Sequence, residues 1–272
     1  MKTLIVATDF SKEAENAIEY AGALARQMHR KVILFNSFVI PVHATNSLLP
    51  ASAFQEMVVH NQQILKARAQ KLADTYLIEV GYESGLLDLN EGVEELIEKN
   101  NGSIVIMGMA AKSIDQDLFG NTTTSLMMKM KYPVLAVPIG STFKGIDRIL
   151  YACDELQDKF ILDMIREIAE VLQAEIEIFH VGKHIARLAE QGAEIPYASS
   201  IDEALKEVPH YYKDVESGKV IDEIEAEVLK CNIDLLIMVP HKHGFLDSIL
   251  HRSKTRVMAS NNKVPLLSLP GH

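Results

Sequence analysis

Thr3-Leu4-Ile5-Val6-Ala7-Thr8-Asp9 returns, in outline, as Arg148-Ile149-Leu150-Tyr151-Ala152-Cys153-Asp154. Each stretch is a short apolar run that ends in Ala-x-Asp and leads straight into a helical pattern. A continuous run of this kind, rather than an alternating one, is the pattern of a parallel strand buried on both faces. Two further echoes follow in the same order. Tyr82-Glu83-Ser84-Gly85 is answered by Val215-Glu216-Ser217-Gly218, and Ile104-Val105-Ile106-Met107 by Leu235-Leu236-Ile237-Met238. Three ordered matches imply one α/β unit present twice. The acid closing each first strand is then the first candidate for a ligand site.

Working outward, strand and helix alternate. After Ser11, a candidate N-cap, Ala14, Ile18, Ala21, Ala25 and Met28 form a helical stripe. Val32-Ile33-Leu34-Phe35 reads as a second strand, and Phe54, Met57, Val58, Leu65 and Leu72 as one face of a long helix. A strand at 77–83, a helix carrying Val93, Leu96 and Ile97, a strand at 104–107, a helix at 121–130 and a strand at 134–137 complete the first half. The second half repeats the order: strand 148–153, helix 157–172, strand 175–181, strand 210–215, helix 219–230, strand 235–239, helix 249–260 and strand 265–269. Its middle is shorter, with the second helix reduced to about 199–206. The expected fold is α/β, two tandem open parallel five-stranded sheets flanked by helices. The domains are expected at 1–139 and 147–272, joined by a linker containing Gly140, Ser141 and Gly145. Right-handed crossovers put the ends of the first and fourth strands beside a topological switch point, where open α/β sheets bind ligands.

Bulk properties narrow the function. With 48% hydrophobic residues the chain has enough apolar side chains for two cores. A net charge of −10 argues against a nucleic-acid backbone as partner. Asp9 interrupts the N-terminal apolar run before signal-peptide length, and no stretch nears the ~18 apolar residues of a membrane span. A cytoplasmic address without membrane attachment is the expectation. Cys153 and Cys231, placed at opposite strand ends, are too far apart for a disulfide and read as reduced structural thiols.

The candidate site lies in the first half. Gly108 ends the fourth strand, where a missing Cβ lets another backbone or a ligand come close. Gly120, followed by Asn121, Thr122, Thr123, Thr124 and Ser125, opens a helix whose free N–H groups and dipole suit an anion. Asp9, across the switch point, would accept hydrogen bonds from a ribose or base. Together these parts suit an adenine nucleotide. The same glycine and hydroxyl residues are also an ordinary helix start.

Ala7-x-Asp9, the Gly108 loop, Gly120-Asn121-Thr122 and the closing Tyr132-Pro133-Val134-Leu135-Ala136-Val137-Pro138 resemble the universal stress protein family. The likeness spans nearly the whole chain as two copies. It implies a Rossmann-like fold of the adenine nucleotide hydrolase type. It also implies ATP, with or without Mg²⁺, bound in the first copy: Asp9 at the adenosine end, and Gly108, Gly120, Asn121 and Thr123 near ribose and phosphates. Ala7, Ala111 and Thr122 complete the candidate set. The family's nucleotide-binding members carry Gly-x2-Gly-x9-Gly-Ser/Thr here. In this chain Ala111 replaces the middle glycine, the next interval is one residue shorter, and Asn121 replaces Ser/Thr. Asp115 and Asp117 add negative charge nearby. A carboxylate about 4 Å from a phosphate opposes binding by about 4 kcal/mol at an effective dielectric of 20, unless a divalent ion bridges the two.

The second copy keeps Asp154, but its loop reads Val239-Pro240-His241-Lys242-His243-Gly244 and continues to His251-Arg252-Ser253-Lys254-Thr255. Without the glycines no cofactor is expected there. His241, His243 and His251 lack a carboxylate or cysteine at a metal-site spacing, so no metal is expected. Lys242, Arg252 and Lys254 read either as an anion site or as solvated basic surface.

No P-loop, dinucleotide fingerprint or nucleophile elbow occurs, and neither cysteine has an evident base. No catalytic residue is assigned. The expected role is a stress-related, non-enzymatic nucleotide-binding regulator acting on a protein partner. Two alternatives stand beside it: a ligand-free interaction module, and slow metal-dependent ATP hydrolysis through Asp9 or Asp115. In the family, fifth strands of two domains pair across an interface. The apolar edges Val134–Val137 and Leu266–Leu269 therefore imply that the two copies pair as a pseudo-dimer within one chain. A homodimer of whole chains is a further option.

Overall fold

Burial on both faces shapes the strands of the computed structural model. It describes residues 2–37, 51–85, 88–109, 126–127, 130–153, 159–181, 201–240 and 264–271. β1 (Thr3–Ala7) is buried along its whole length, as is all but the first residue of β6 (Arg148–Cys153). Contacts divide the chain into two units. Unit 1 comprises Met1–Ala111 and Tyr132–Phe143; unit 2 comprises Lys112–Lys131 and Lys144–His272.

In unit 1, Ser11 caps α1 (Lys12–Gln27), and Ala14, Ile18, Ala21, Ala25 and Met28 are all buried, as their spacing predicts. β2 (Lys31–Ser37), α2 (Ala51–Tyr76), β3 (Val80–Gly85), α3 (Leu89–Asn100), β4 (Gly102–Met109) and β5 (Val134–Pro138) follow. Every pairing is parallel and the strand order is β3-β2-β1-β4-β5. The connection from β3 to β4 therefore crosses to the other side of β1, which puts the switch point at the C-terminal ends of β1 and β4.

Unit 2 contains β6, α4 (Lys159–Leu172), β7 (Glu175–Val181), β8 (His210–Val215), α5 (Val220–Lys230), β9 (Leu235–Met238) and β10 (Leu266–Ser268). Its order, β8-β7-β6-β9-β10, is the same topology again. Met127 belongs to this unit by contact, and its carbonyl accepts a 3.1 Å hydrogen bond from Ser268 Oγ.

Strand register tests the echoes residue by residue. Ala7 pairs with Phe35 and Ala152 with Phe179, so these positions are equivalent. Val6 pairs with Ile106 and Tyr151 with Ile237, so the third echo is in register. The second echo is not. Phe35 pairs with Glu83, but Phe179 pairs with Lys213, which puts Glu216 three residues beyond Glu83's place. β3 and β8 are only partly buried and carry no apolar run to align.

Three other differences are local. Leu77 is 82% exposed and adopts a left-handed φ of 54°, closing α2 and delaying the strand expected at 77 until Val80. Met57, expected on the buried face of α2, is exposed, whereas Leu65 and Leu72 are buried. The shortened middle of unit 2 shows a single helical turn at 201–204. The side chain of Phe54, residues 121–125 and 128–129 of the helix expected at 121–130, and the helix expected at 249–260 lie outside the described residues; 126–127 are helical. Among the described residues, no helix is long and apolar enough to cross a membrane.

Candidate functional site

The end of β1 is held by its neighbours before any ligand is considered. Thr8 N–H donates to the Phe35 carbonyl at 2.8 Å, and Asn36 Nδ2 donates to the Thr8 carbonyl at 2.7 Å. The chain then turns sharply. Phe10 takes a left-handed φ of 65° while its N–H donates to Thr8 Oγ1 at 3.1 Å. Ser11 N–H donates to Asp9 Oδ1 at 3.0 Å, and Ser11 Oγ accepts from Ala14 N–H at 3.2 Å to start α1. Asp9 therefore shapes the strand-to-helix turn through one carboxylate oxygen, as aspartates do in such turns. Its side chain is otherwise exposed, and Ala7 beside it is buried.

Long-range partners complete this corner. Asn61 Nδ2, from α2, donates to Asn36 Oδ1 at 3.2 Å, continuing the chain of amides that pins Thr8. The Arg68 guanidinium lies 4.9 Å from the centroid of the Phe10 ring and pairs with Glu15 of α1. Sequence reasoning missed Asn36, Asn61 and Arg68. The one local hint is Asn36, a polar residue directly after the apolar run of β2, and it is buried. Asn61 and Arg68 come from a helix whose rotation over the sheet is not legible locally.

Gly108 lies across the switch point at the end of β4. A Cβ there would fall 2.3 Å from the carbonyl carbon of Glu13 and 2.7 Å from the amide nitrogen of Ala14. The backbone approach that the glycine permits is thus the first turn of α1, and this alone accounts for it. Asn16 of the same helix donates to the Pro138 carbonyl at 3.2 Å and accepts from Gly140 N–H at 3.1 Å. α1 is consequently fastened to the ends of both β4 and β5. Ala111, Asp115, Asp117, Gly120, Asn121, Thr122 and Thr123 lie outside the described residues. The structure brings Ala7, Asp9 and Gly108 to one corner of unit 1.

In unit 2 the equivalent corner has changed chemistry. Cys153 stands where Thr8 stands, His180 where Asn36 stands and Val239, buried, where Gly108 stands. Cys153 Sγ donates to the Phe179 carbonyl at 3.8 Å, and both cysteines are free thiols. His180 is the register partner of Cys153 and lies 3.5 Å, Nδ1 to Oδ1, from Asp214 of β8. A histidine is therefore close to Cys153 in the fold, 27 positions away in sequence. Asp154, His241, Lys242, His243, His251, Arg252 and Lys254 lie outside the described residues.

Comparison with known proteins gives a family and a fold. Residues 1–138 match the model of the universal stress protein family. A universal stress protein from Archaeoglobus fulgidus is 17% identical with a TM-score of 0.74, covering 98% of each chain. A putative universal stress protein from Pseudomonas aeruginosa is 14% identical with a TM-score of 0.58, covering 99% of this chain and 93% of that one. The cytoplasmic domain of a prokaryotic cation chloride cotransporter is 12% identical with a TM-score of 0.54, covering 98% and 94%. No curated protein sequence matches the chain.

Proposed function

Because the chain belongs to the universal stress protein family, we propose that unit 1 binds an adenine nucleotide and, without turning it over, adjusts contact with a protein partner. The observation that carries this is the exposed Asp9 carboxylate, held at the switch point by Ser11 N–H with its rim facing solvent. In this reading Asp9 takes the adenosine end. Ala7 and Gly108 form the floor. Ala111, Gly120, Asn121, Thr122 and Thr123 line the ribose and phosphates of ATP, with Mg²⁺ relieving the charge of Asp115 and Asp117. Unit 2, with the same topology, is a second copy of the domain whose nucleotide site has been lost.

Titration calorimetry of ATP-Mg into the full chain tests the reading. Saturable heat is expected from wild type, with at least about tenfold weaker binding by Asp9→Ala, as removal of a charge-assisted hydrogen bond predicts. Asp9→Asn, which keeps the turn, separates loss of charge from loss of fold. Equal heats in wild type and both variants would remove Asp9 from the site.

A second reading draws on the same corner. Asp9 and Gly108 each have a structural task, capping the turn and admitting α1, that needs no ligand. A protein that purifies without nucleotide and shows no thermal shift with ATP and magnesium would favour an interaction module.

A further inference from the structure

Unit 2 buries a polar cluster where unit 1 is apolar. Glu177 of β7 is 1% exposed and Glu227 of α5 is 6% exposed. One carboxylate oxygen of each lies within 4.8 Å of the other and of Cys231 Sγ, at the end of α5. Tyr211 OH donates to Glu177 Oε2 at 3.0 Å, and Cys231 Sγ donates to Glu227 Oε1 at 2.9 Å. Lys213 Nζ pairs with Glu227 Oε2. Glu177 Oε1 is buried and accepts no hydrogen bond among the described residues, and a hydrogen bond between the Glu177 and Glu227 carboxyls requires that one of them hold a proton.

The fold does not require these groups. Counted from the paired Phe35 and Phe179, Ile33 occupies the place of Glu177. Counted back from the left-handed Asn101 and Asn232, each with φ 51°, Leu96 occupies the place of Glu227. Both unit 1 residues are buried. Two carboxylates have thus replaced an isoleucine and a leucine in a working core position. Burying a carboxylate is strongly unfavourable unless its charge and lone pairs are matched.

The geometry points to a divalent transition-metal site, of the borderline-soft kind that Zn²⁺ represents, with Glu177, Glu227 and Cys231 as ligands. Charge favours that class. Two carboxylates and a thiolate carry three negative charges; Lys213 supplies one positive charge and a divalent ion the other two. The donor set fits as well. Carboxylate oxygen and thiolate sulfur together suit zinc-like ions better than magnesium or calcium, which take oxygen ligands alone. Glu177 Oε1 gains a partner that needs no shared proton. Cys231 gives up the proton it now donates to Glu227, and that proton leaves to solvent. Lys213 on Glu227 and Tyr211 on Glu177 orient the ligating carboxylates from behind, as outer groups do in metal sites. Glu177 comes from β7, Glu227 from α5 and Cys231 from the cap that ends α5, so only Glu227 and Cys231 stand close in the sequence and no complete ligand spacing announces the set. The inference is independent of nucleotide binding in unit 1.

Cobalt(II) titration of the metal-free full chain tests it, because thiolate-bound cobalt absorbs in the near ultraviolet. One equivalent should produce a thiolate charge-transfer band that zinc abolishes by displacement. The band should survive Cys153→Ser and vanish in Cys231→Ser. Glu177→Gln and Glu227→Gln, near-isosteric changes checked for folding by circular dichroism, should each weaken cobalt binding by at least about tenfold. No band from wild type, or a band that survives Cys231→Ser, overturns the proposal. So does cobalt affinity unchanged in both glutamine variants.

Discussion

At one equivalent position the two units make opposite choices. In unit 1, Gly92 lets α3 sit directly on Phe35, where an added Cβ would lie 2.4 Å from the ring, and Ile33 and Leu96 fill the space beside it. In unit 2, the Lys213 ammonium lies 5.7 Å from the Phe179 ring, and Glu177 and Glu227 fill the equivalent space. The strand order is the same in both. A parallel α/β unit therefore tolerates either chemistry between its sheet and this helix. What differs is where each unit keeps its polar groups. Unit 1 gathers Thr8, Asp9, Asn36 and Asn61 at the strand ends beside the switch point. Unit 2 carries its buried acids within the sheet–helix layer.

The largest effect is expected from exchanging the residues at the end of β4 and β9. Gly108→Val copies the Val239 of unit 2 into a place where the Glu13 backbone already stands. Backbone cannot rotate away as a side chain can, so the change should destabilise unit 1 by about 3 kcal/mol, the upper part of the range for overpacking. Urea denaturation of the full chain measures this as a lowered midpoint. A Gly108→Val midpoint equal to that of wild type would show that α1 is free to move away, and Gly108 would then need another explanation.

A smaller effect, of opposite sign, should follow from making unit 2 like unit 1. The double substitution Glu177→Ile with Glu227→Leu should stabilise metal-free protein by about 2 kcal/mol at neutral pH, since buried ionic groups are often less favourable than well-packed apolar ones. Its pH dependence carries more information. Burial pushes the Glu177 carboxyl up, against the hydrogen bond from Tyr211. A raised carboxyl contributes stability below the ordinary glutamate range, and that contribution is lost as pH rises through its folded value. For Glu227, burial acts upward too, but hydrogen bonds from Cys231 and Lys213 outweigh it and hold the carboxyl low. That contribution is present above the ordinary range and lost as pH falls. The double variant removes both opposing slopes. If its stability still follows pH as wild type does, other groups govern the titration.

These contrasts also explain which parts were legible in sequence. Buried central strands admit little but apolar residues, so Val6 and Tyr151, Ile106 and Ile237 fell into register from their runs alone. The Val239 substitution at the place of Gly108 was readable for the same reason. The Glu-Ser-Gly echo misled because β3 and β8 are half-exposed edges, where neighbours in space rather than burial set the register. The corner around Asp9 was legible in part. The acid and its cap stand together in sequence, but Asn61 and Arg68 reach it from α2. Least legible was the Glu177–Glu227–Cys231 cluster, because nothing in a glutamate says whether it faces water or core.

The smallest effect concerns the Cys231 thiol. Its hydrogen bond to Glu227 and its burial push it up to about 11 in metal-free protein. At neutral pH it should therefore react slowly with iodoacetamide, since the thiolate is the nucleophile. Glu227→Gln removes the negative charge that favours the protonated thiol and leaves a neutral amide oxygen as the weaker acceptor. The thiol should then titrate lower by about one pH unit, a change of about 1.4 kcal/mol, and alkylation at pH 8 should speed about tenfold. Cys153, at 2% exposure, serves as the slow internal reference in peptide mapping. Unchanged Cys231 alkylation in Glu227→Gln would mean that the charge of Glu227 does not protect the thiol. The Sγ–carboxylate contact that draws Cys231 into the cluster would then contribute little, and the difference between the two units at this layer would reduce to the paired glutamates and Lys213.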